Sequence, residues 1–125
     1  MPKKALKQPR WLDEVDEDNF EAAESYLGLI YSRKRRASFI SALRAAKPAR
    51  FKAKDIFRAS QLSRLGVSNS RVARDRKKIR AGVRLSPLLL VRDEGHGKVV
   101  VADGYHRLCA VYKVNEDAWI PCRIV

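Results

Sequence analysis

The stretch Ser86-Pro87-Leu88-Leu89-Leu90-Val91 constrains this chain most. Its apolar run, from Pro87 to Val91, is unbroken and stops at Arg92, far short of the roughly 20 residues that cross a bilayer. A run of strand length with no polar alternation reads as a buried β-strand. The segment Asp93-Glu94-Gly95-His96-Gly97 reads as a turn, since its two glycines can take positive φ without steric penalty. Lys98 to Ala102 is rich in β-branched residues and is predicted to pair back as a hairpin. Gly104 breaks that strand, and a helix is expected from His106 to Lys113 with Leu108, Cys109, Val111 and Tyr112 on its apolar side. A final strand is predicted from Trp119 to Val125.

Upstream, residues 1 to 12 have no periodicity and read as a loose tail pinned by Trp11 and Leu12. Asp18-Asn19-Phe20-Glu21 resembles a capping box with Asp18 as the cap, so a helix is expected to begin there. Phe20, Ala23, Leu27 and Ile30 then recur at helical spacing. The basic cluster Arg33-Lys34-Arg35-Arg36 interrupts the pattern, Phe39, Ile40, Leu43 and Ala46 resume it, and Pro48 stops the second helix near Lys47. Two such helices form a hairpin that cannot bury its apolar faces alone, so it must pack on the C-terminal part of the chain or on another subunit. After Arg50, Phe51 to Phe57 shows strand-like alternation, with a turn near Gly66. Ser68 is the expected N-cap of a helix reaching Arg80, with Val72, Ala73 and Ile79 inward, and Gly82 ends it.

At 125 residues the chain fits one cooperative unit, divided as a tail and helical hairpin over 1–48 and an α+β domain over 49–125. With 46% hydrophobic and 33% charged residues it has the composition of a folded protein. The N-terminal lysines have no apolar segment behind them, so no secretory signal is expected and the cytoplasm is the expected location. Cys109 and Cys122 lack a disulfide or zinc pattern, read as buried thiols, and no metal site is predicted. The formal net charge is +13, yet half of the fourteen acidic residues lie between Asp13 and Glu24. Positions 25 to 125 therefore carry a local net charge of +16, which suits a polyanion or a phosphorylated small molecule and equally suits a solvated surface.

The chemistry concentrates at Asp103-Gly104-Tyr105-His106-Arg107. A strand running into a helix start presents unpaired N–H groups and the positive end of the helix dipole, both favourable to phosphate. Gly104 admits close approach to the backbone, Arg107 offers a planar fork of donors, and His106 can donate or shuttle a proton. Asp103 could orient His106 or Arg107, or hold a divalent cation that bridges phosphates.

Four stretches in this order resemble the ParB/sulfiredoxin (ParB-like nuclease domain) superfamily: Lys77 to Gly82, Ser86 to Val91, Val100 to Ala110 and Ile120 to Val125. The resemblance implies a small mixed sheet with packed helices, preceded here by the helical hairpin as an extension. It also implies a nucleoside triphosphate or diphosphate, with Mg²⁺, bound at Asp103, Gly104, Tyr105, His106 and Arg107. Sulfiredoxins carry their catalytic cysteine where this chain has Tyr105, so sulfinic acid reduction is not expected, and Cys109 lies a turn further on. ParB partition proteins match at Arg107, but a chain ending at Val125 leaves no room for their DNA-reading domain, and partition by itself is not expected. The nuclease label finds no carboxylate cluster near the turn that would hold two metals. Nucleotide-using serine kinases of this fold place an acidic residue near the first strand, a place that Asp55 fills as a candidate general base beside His106.

These features support three functional expectations. The first is a nucleotide- or phosphate-binding module, a phosphotransferase or nucleotide hydrolase if it is an enzyme. A second is a non-catalytic DNA- or nucleic-acid-binding protein that uses Arg71, Arg74, Lys77, Lys78 and Arg80, in a stretch from Arg71 to Arg84 with seven positive charges against Asp75 alone. A third is self-association as a homodimer, the acidic first helix docking on a basic face of another copy.

Overall fold

The computed structural model describes residues 8–66 and 69–125. Among them the chain is a mixed α+β fold: β1 (Arg10–Trp11), α1 (Glu17–Leu27), α2 (Arg33–Ala45), β2 (Ala49–Lys52), α3 (Ala53–Ser60), α4 (Ser70–Arg80), β3 (Arg84–Leu85), β4 (Leu88–Asp93), β5 (Lys98–Asp103), α5 (Tyr105–Val114) and β6 (Trp119–Ile124). The main sheet has the order β2-β6-β4-β5. Here β6 is antiparallel to β2 and parallel to β4, while β4 and β5 form the expected hairpin. A separate parallel pair, β1 with β3, sets Arg10 opposite Arg84 and Trp11 opposite Leu85.

Both faces of β4 are covered, which accounts for the unbroken apolar run. Leu88 and Leu90 join Val101, Ile120 and Cys122 against Ile56, Phe57, Val72, Ile79 and Leu108 of α3, α4 and α5. Leu89 and Val91 join Val100 and Ala102 on the other face, against Phe20, Ala23 and Leu27 of α1 and Ile40 and Leu43 of α2. The hairpin thus meets its requirement within the chain, and each buried leucine contributes about 1.5–3 kcal/mol relative to exposure. Among the described residues no helix is long and apolar enough to cross a membrane. Cys109 and Cys122 are free and buried, and burial pushes the Cys122 thiol up to about 12.

Several local expectations are corrected. The first helix begins after Asp16, not Asp18: Asp16 occupies the position before the first turn without a side-chain capping bond, its amide donates to Ser86 Oγ at 3.1 Å, and the chain turns there. Arg33 to Arg36 form the first turn of α2 instead of interrupting a helix. Ser32 caps that turn by accepting from the Arg35 amide at 3.3 Å, Arg35 stacks over the Tyr31 and Phe39 rings, and Arg36 packs against Gly28 just past the end of α1. Phe51 to Phe57 is strand only as far as Lys52. Ala53, Ile56, Phe57 and Ser60 recur at helical spacing and are buried as the inner face of α3, which overrides the short alternation. Asn69 caps α4, accepting from the Arg71 and Val72 amides, and Ser68 lies outside the described residues. Of the tail, residues 1 to 7 lie outside the description, while Arg10–Trp11 pairs as a strand. In the β4–β5 turn only Gly97 takes a positive φ, +63°, since Gly95 lies within a short 3₁₀ turn.

The end of α4 matches expectation: Gly82 has φ +74°, its amide reaches Ile79 O at 3.1 Å, and the Val83 amide reaches Lys78 O at 2.9 Å. That pair of bonds is a Schellman motif, and it turns the chain toward β3 and β4. The acidic start of α1 is engaged inside the hairpin, where Glu17 forms a two-pronged ion pair with Arg44.

Candidate functional site

Strand β5 delivers Asp103 and Gly104 directly to the first turn of α5. Gly104 holds φ +107°, a conformation that other residues adopt only under strain. A Cβ there would stand 2.7 Å from Leu88 Cγ and 2.9 Å from Arg107 Nη2, so the turn is closed to any side chain on two counts. Among the described residues no side chain caps the start of α5.

Arg107 reaches back one helical turn to Asp103 at 2.9 Å, with a longer bond of 3.4 Å to the Pro87 carbonyl. Both partners of the pair are largely buried, at 16% and 15% side-chain exposure. Of the alternatives for Asp103, the structure selects orientation of Arg107. Among the described residues the buried Arg107 Nε has no hydrogen-bond partner. Tyr105 packs edge to face with His106 at 5.5 Å, and its hydroxyl donates to the Ser63 carbonyl, tying the 62–66 loop to α5.

A cavity of about 250 Å³ opens beside this turn. Its floor is Asp103 to Arg107, and its opposite wall is α4, which contributes Arg71, Arg74, Asp75 and Lys78. Spacing of three and four residues sets those basic side chains on one exposed helix face. The structure therefore unites two features that the sequence left apart, the turn and part of the basic helix. Lys77 and Arg80 are exposed but do not line the cavity.

Asp75 is the residue that sequence reasoning passed over. It is buried on the stripe that also buries Val72 and Ile79, so an acid in an apolar register of a basic helix was the available signal. Burial raises its pKa, against the pull of Lys78, Arg107, His106 and Arg74. Lys78 Nζ stands 4.0 Å away. Burial lowers the pKa of His106, and the cations Arg71 and Arg107 push the same way against Asp75, so its imidazole is predominantly neutral at pH 7.

Asp55 is not brought to this site. It lies exposed in the first turn of α3 instead of at a strand end, and lines a separate cleft with Phe51, Ala59 and Arg92. Among the described residues no group of three or more His, Cys, Asp or Glu is arranged to hold a metal ion.

Chemically, the arrangement presents a helix start without a side-chain cap among the described residues, a guanidinium held by Asp103, three exposed cations, a neutral imidazole and one protonation-sensitive carboxyl around a single hollow. Comparison with known proteins finds no matching family, no similar curated protein and no similar solved structure.

Proposed function

We propose that this chain binds a phosphorylated ligand of the nucleoside di- or triphosphate class at the turn from β5 to α5. One observation carries the reading: Gly104, held at φ +107°, opens the N-terminus of α5 into the same hollow as Arg71, Arg74, Lys78 and Arg107. Backbone donors, a helix dipole and several cations that converge on one small cavity make an anion site, and phosphate suits both its charge and its planar arginine donors. The resemblance to the ParB/sulfiredoxin superfamily supports the same reading, as does the position of Arg107 within it. Mg²⁺ would arrive on the phosphates, because Asp103 is engaged by Arg107 and the described residues offer no ready-made metal cluster.

If the bound phosphate reacts, His106 and Asp75 share its cavity and are the candidate proton carriers. Asp55, in its separate cleft, is not proposed for that role.

Calorimetric titration with ATP, ADP, CTP and GTP in the presence of Mg²⁺ tests the site on wild type, Arg107→Ala and Arg74→Ala. Arg74 is exposed, so its loss does not threaten the fold. Each truncation removes a charge-assisted contact and is expected to weaken binding by about tenfold or more. Equal heats for all three proteins would remove the assignment.

A second reading, nucleic-acid binding, is favoured by Lys77 and Arg80, which extend the positive face of α4 beyond the cavity. Affinity for duplex DNA should then fall steeply with salt. A flat salt dependence would exclude it.

A further inference from the structure

The phosphate cavity has a neighbour. A larger hollow of about 600 Å³ shares Arg71 and the segment from Asp103 to His106 with it, and then departs in character. Its other walls are Ala22 and Tyr26 of α1, Leu62 and Ser63 of the loop after α3, and Val101 and Ala102 of β5. Where the first hollow adds the charged residues Arg74, Asp75, Lys78 and Arg107, the second adds aromatic and aliphatic surface.

Tyr26 and Leu62 are each 43% exposed, among the few large apolar side chains that the described residues leave in solvent. They come from elements far apart in sequence and meet over one hollow. Exposed apolar groups that converge on a cleft mark a place something fills, whereas the same groups scattered singly would be unremarkable. Ala22 lies one helical turn before Tyr26 on the same face of α1, and its small side chain leaves room beside the ring. Tyr105, held by the Ser63 carbonyl, belongs to the rim that both hollows share.

We propose that the ring-bearing half of the ligand, the base of a nucleoside diphosphate or triphosphate, lies in this second hollow against Tyr26 and Leu62. The α1–α2 hairpin then has two duties: it covers one face of the sheet, and it completes the ligand site. This inference rests on the phosphate reading, from which it borrows the anchor, and it adds the part of the molecule that distinguishes a nucleotide from bare phosphate. Stacking on an aromatic face tolerates every base, so selection among bases is expected to depend on ring area more than on edge hydrogen bonds.

The test compares inorganic pyrophosphate with ADP, each with Mg²⁺, by calorimetry on the full chain. Wild type should bind ADP about tenfold or more tighter than pyrophosphate, the scale expected of a base on an aromatic platform. Tyr26→Ala and, independently, Leu62→Ala should each erode that preference while pyrophosphate still binds, and Tyr26→Phe should restore it. Equal affinity for ADP and pyrophosphate in wild type would overturn the inference and leave the phosphate site intact. So would an ADP preference that survives both alanine substitutions. Binding of neither compound would overturn the phosphate reading together with everything built on it.

Discussion

Two strands of this fold pass almost directly into helices, and the two junctions have opposite fates. Where β2 meets α3, the helix start is closed: the Ala53 amide donates to the Ala118 carbonyl at 3.0 Å and the Lys54 amide to Glu116 O at 2.9 Å. Lys54 also pairs with Asp117 at 2.6 Å, so the segment after α5 serves as a cap. At the junction of β5 with α5 no side chain among the described residues caps the helix, Gly104 takes the left-handed conformation, and the first turn borders a cationic hollow. The same connection thus yields a structural joint in one place and a receptor in the other. What separates them is who supplies partners for the first amides.

The largest expected effect that would break this comparison is at Gly104. Gly104→Ala must place a Cβ against Leu88 and Arg107 at a φ that favours glycine, and should cost about 3 kcal/mol of stability by urea denaturation. A cost near zero would mean that the open junction is not the constrained one.

Protonation of His106 gives an intermediate effect. Its pKa is depressed in the free protein from 6.5, so the unfolded chain takes up the proton more readily, and this group withdraws stability as pH falls through that value. A bound anion favours the imidazolium, so ligand affinity should move oppositely. Sulfate, which does not itself titrate in this range, should bind more tightly as pH drops below neutral, by up to about tenfold per pH unit, levelling off below the pKa of the free protein. Calorimetry in buffers of different ionisation enthalpy should reveal proton uptake, and His106→Gln should flatten the profile. A profile that persists in His106→Gln would assign the proton to Asp75.

The smallest effect sharpens the contrast from the closed side. Asp55 is exposed in the first turn of α3, away from the hollow, and Asp55→Asn should change neither stability by more than about 0.5 kcal/mol nor nucleotide affinity. A loss of binding in that variant would return Asp55 to the site.

The sequence made the open junction legible because its signals are local. Unbroken apolar residues announce a strand buried on both faces, Gly82 marks a helix end, and Gly104 marks a turn that nothing larger fits. Helix α3 was hidden because Phe51, Ala53 and Phe57 fit a period of two as readily as Ala53, Ile56, Phe57 and Ser60 fit a helix in so short a segment. The first helix begins after Asp16 and not after Asp18, at the point where the Asp16 amide meets Ser86, seventy positions away, a contact that no window along the chain contains. The site was half visible for the same reason. The turn can be read from five consecutive residues, whereas its alignment with Arg71, Arg74, Asp75 and Lys78 is a product of how α4 packs beside α5.

The position of β6 bears on how such a chain is made. It is the last strand in sequence, yet it lies between β2 and β4 and joins the sheet's two halves. During vectorial synthesis the β4–β5 hairpin and the isolated β2 must wait, with pairing edges bare, for a segment that leaves the ribosome after both. The nascent protein is therefore vulnerable to misassociation until β6 emerges, and a stop ahead of β6 would leave a sticky intermediate instead of a smaller folded domain.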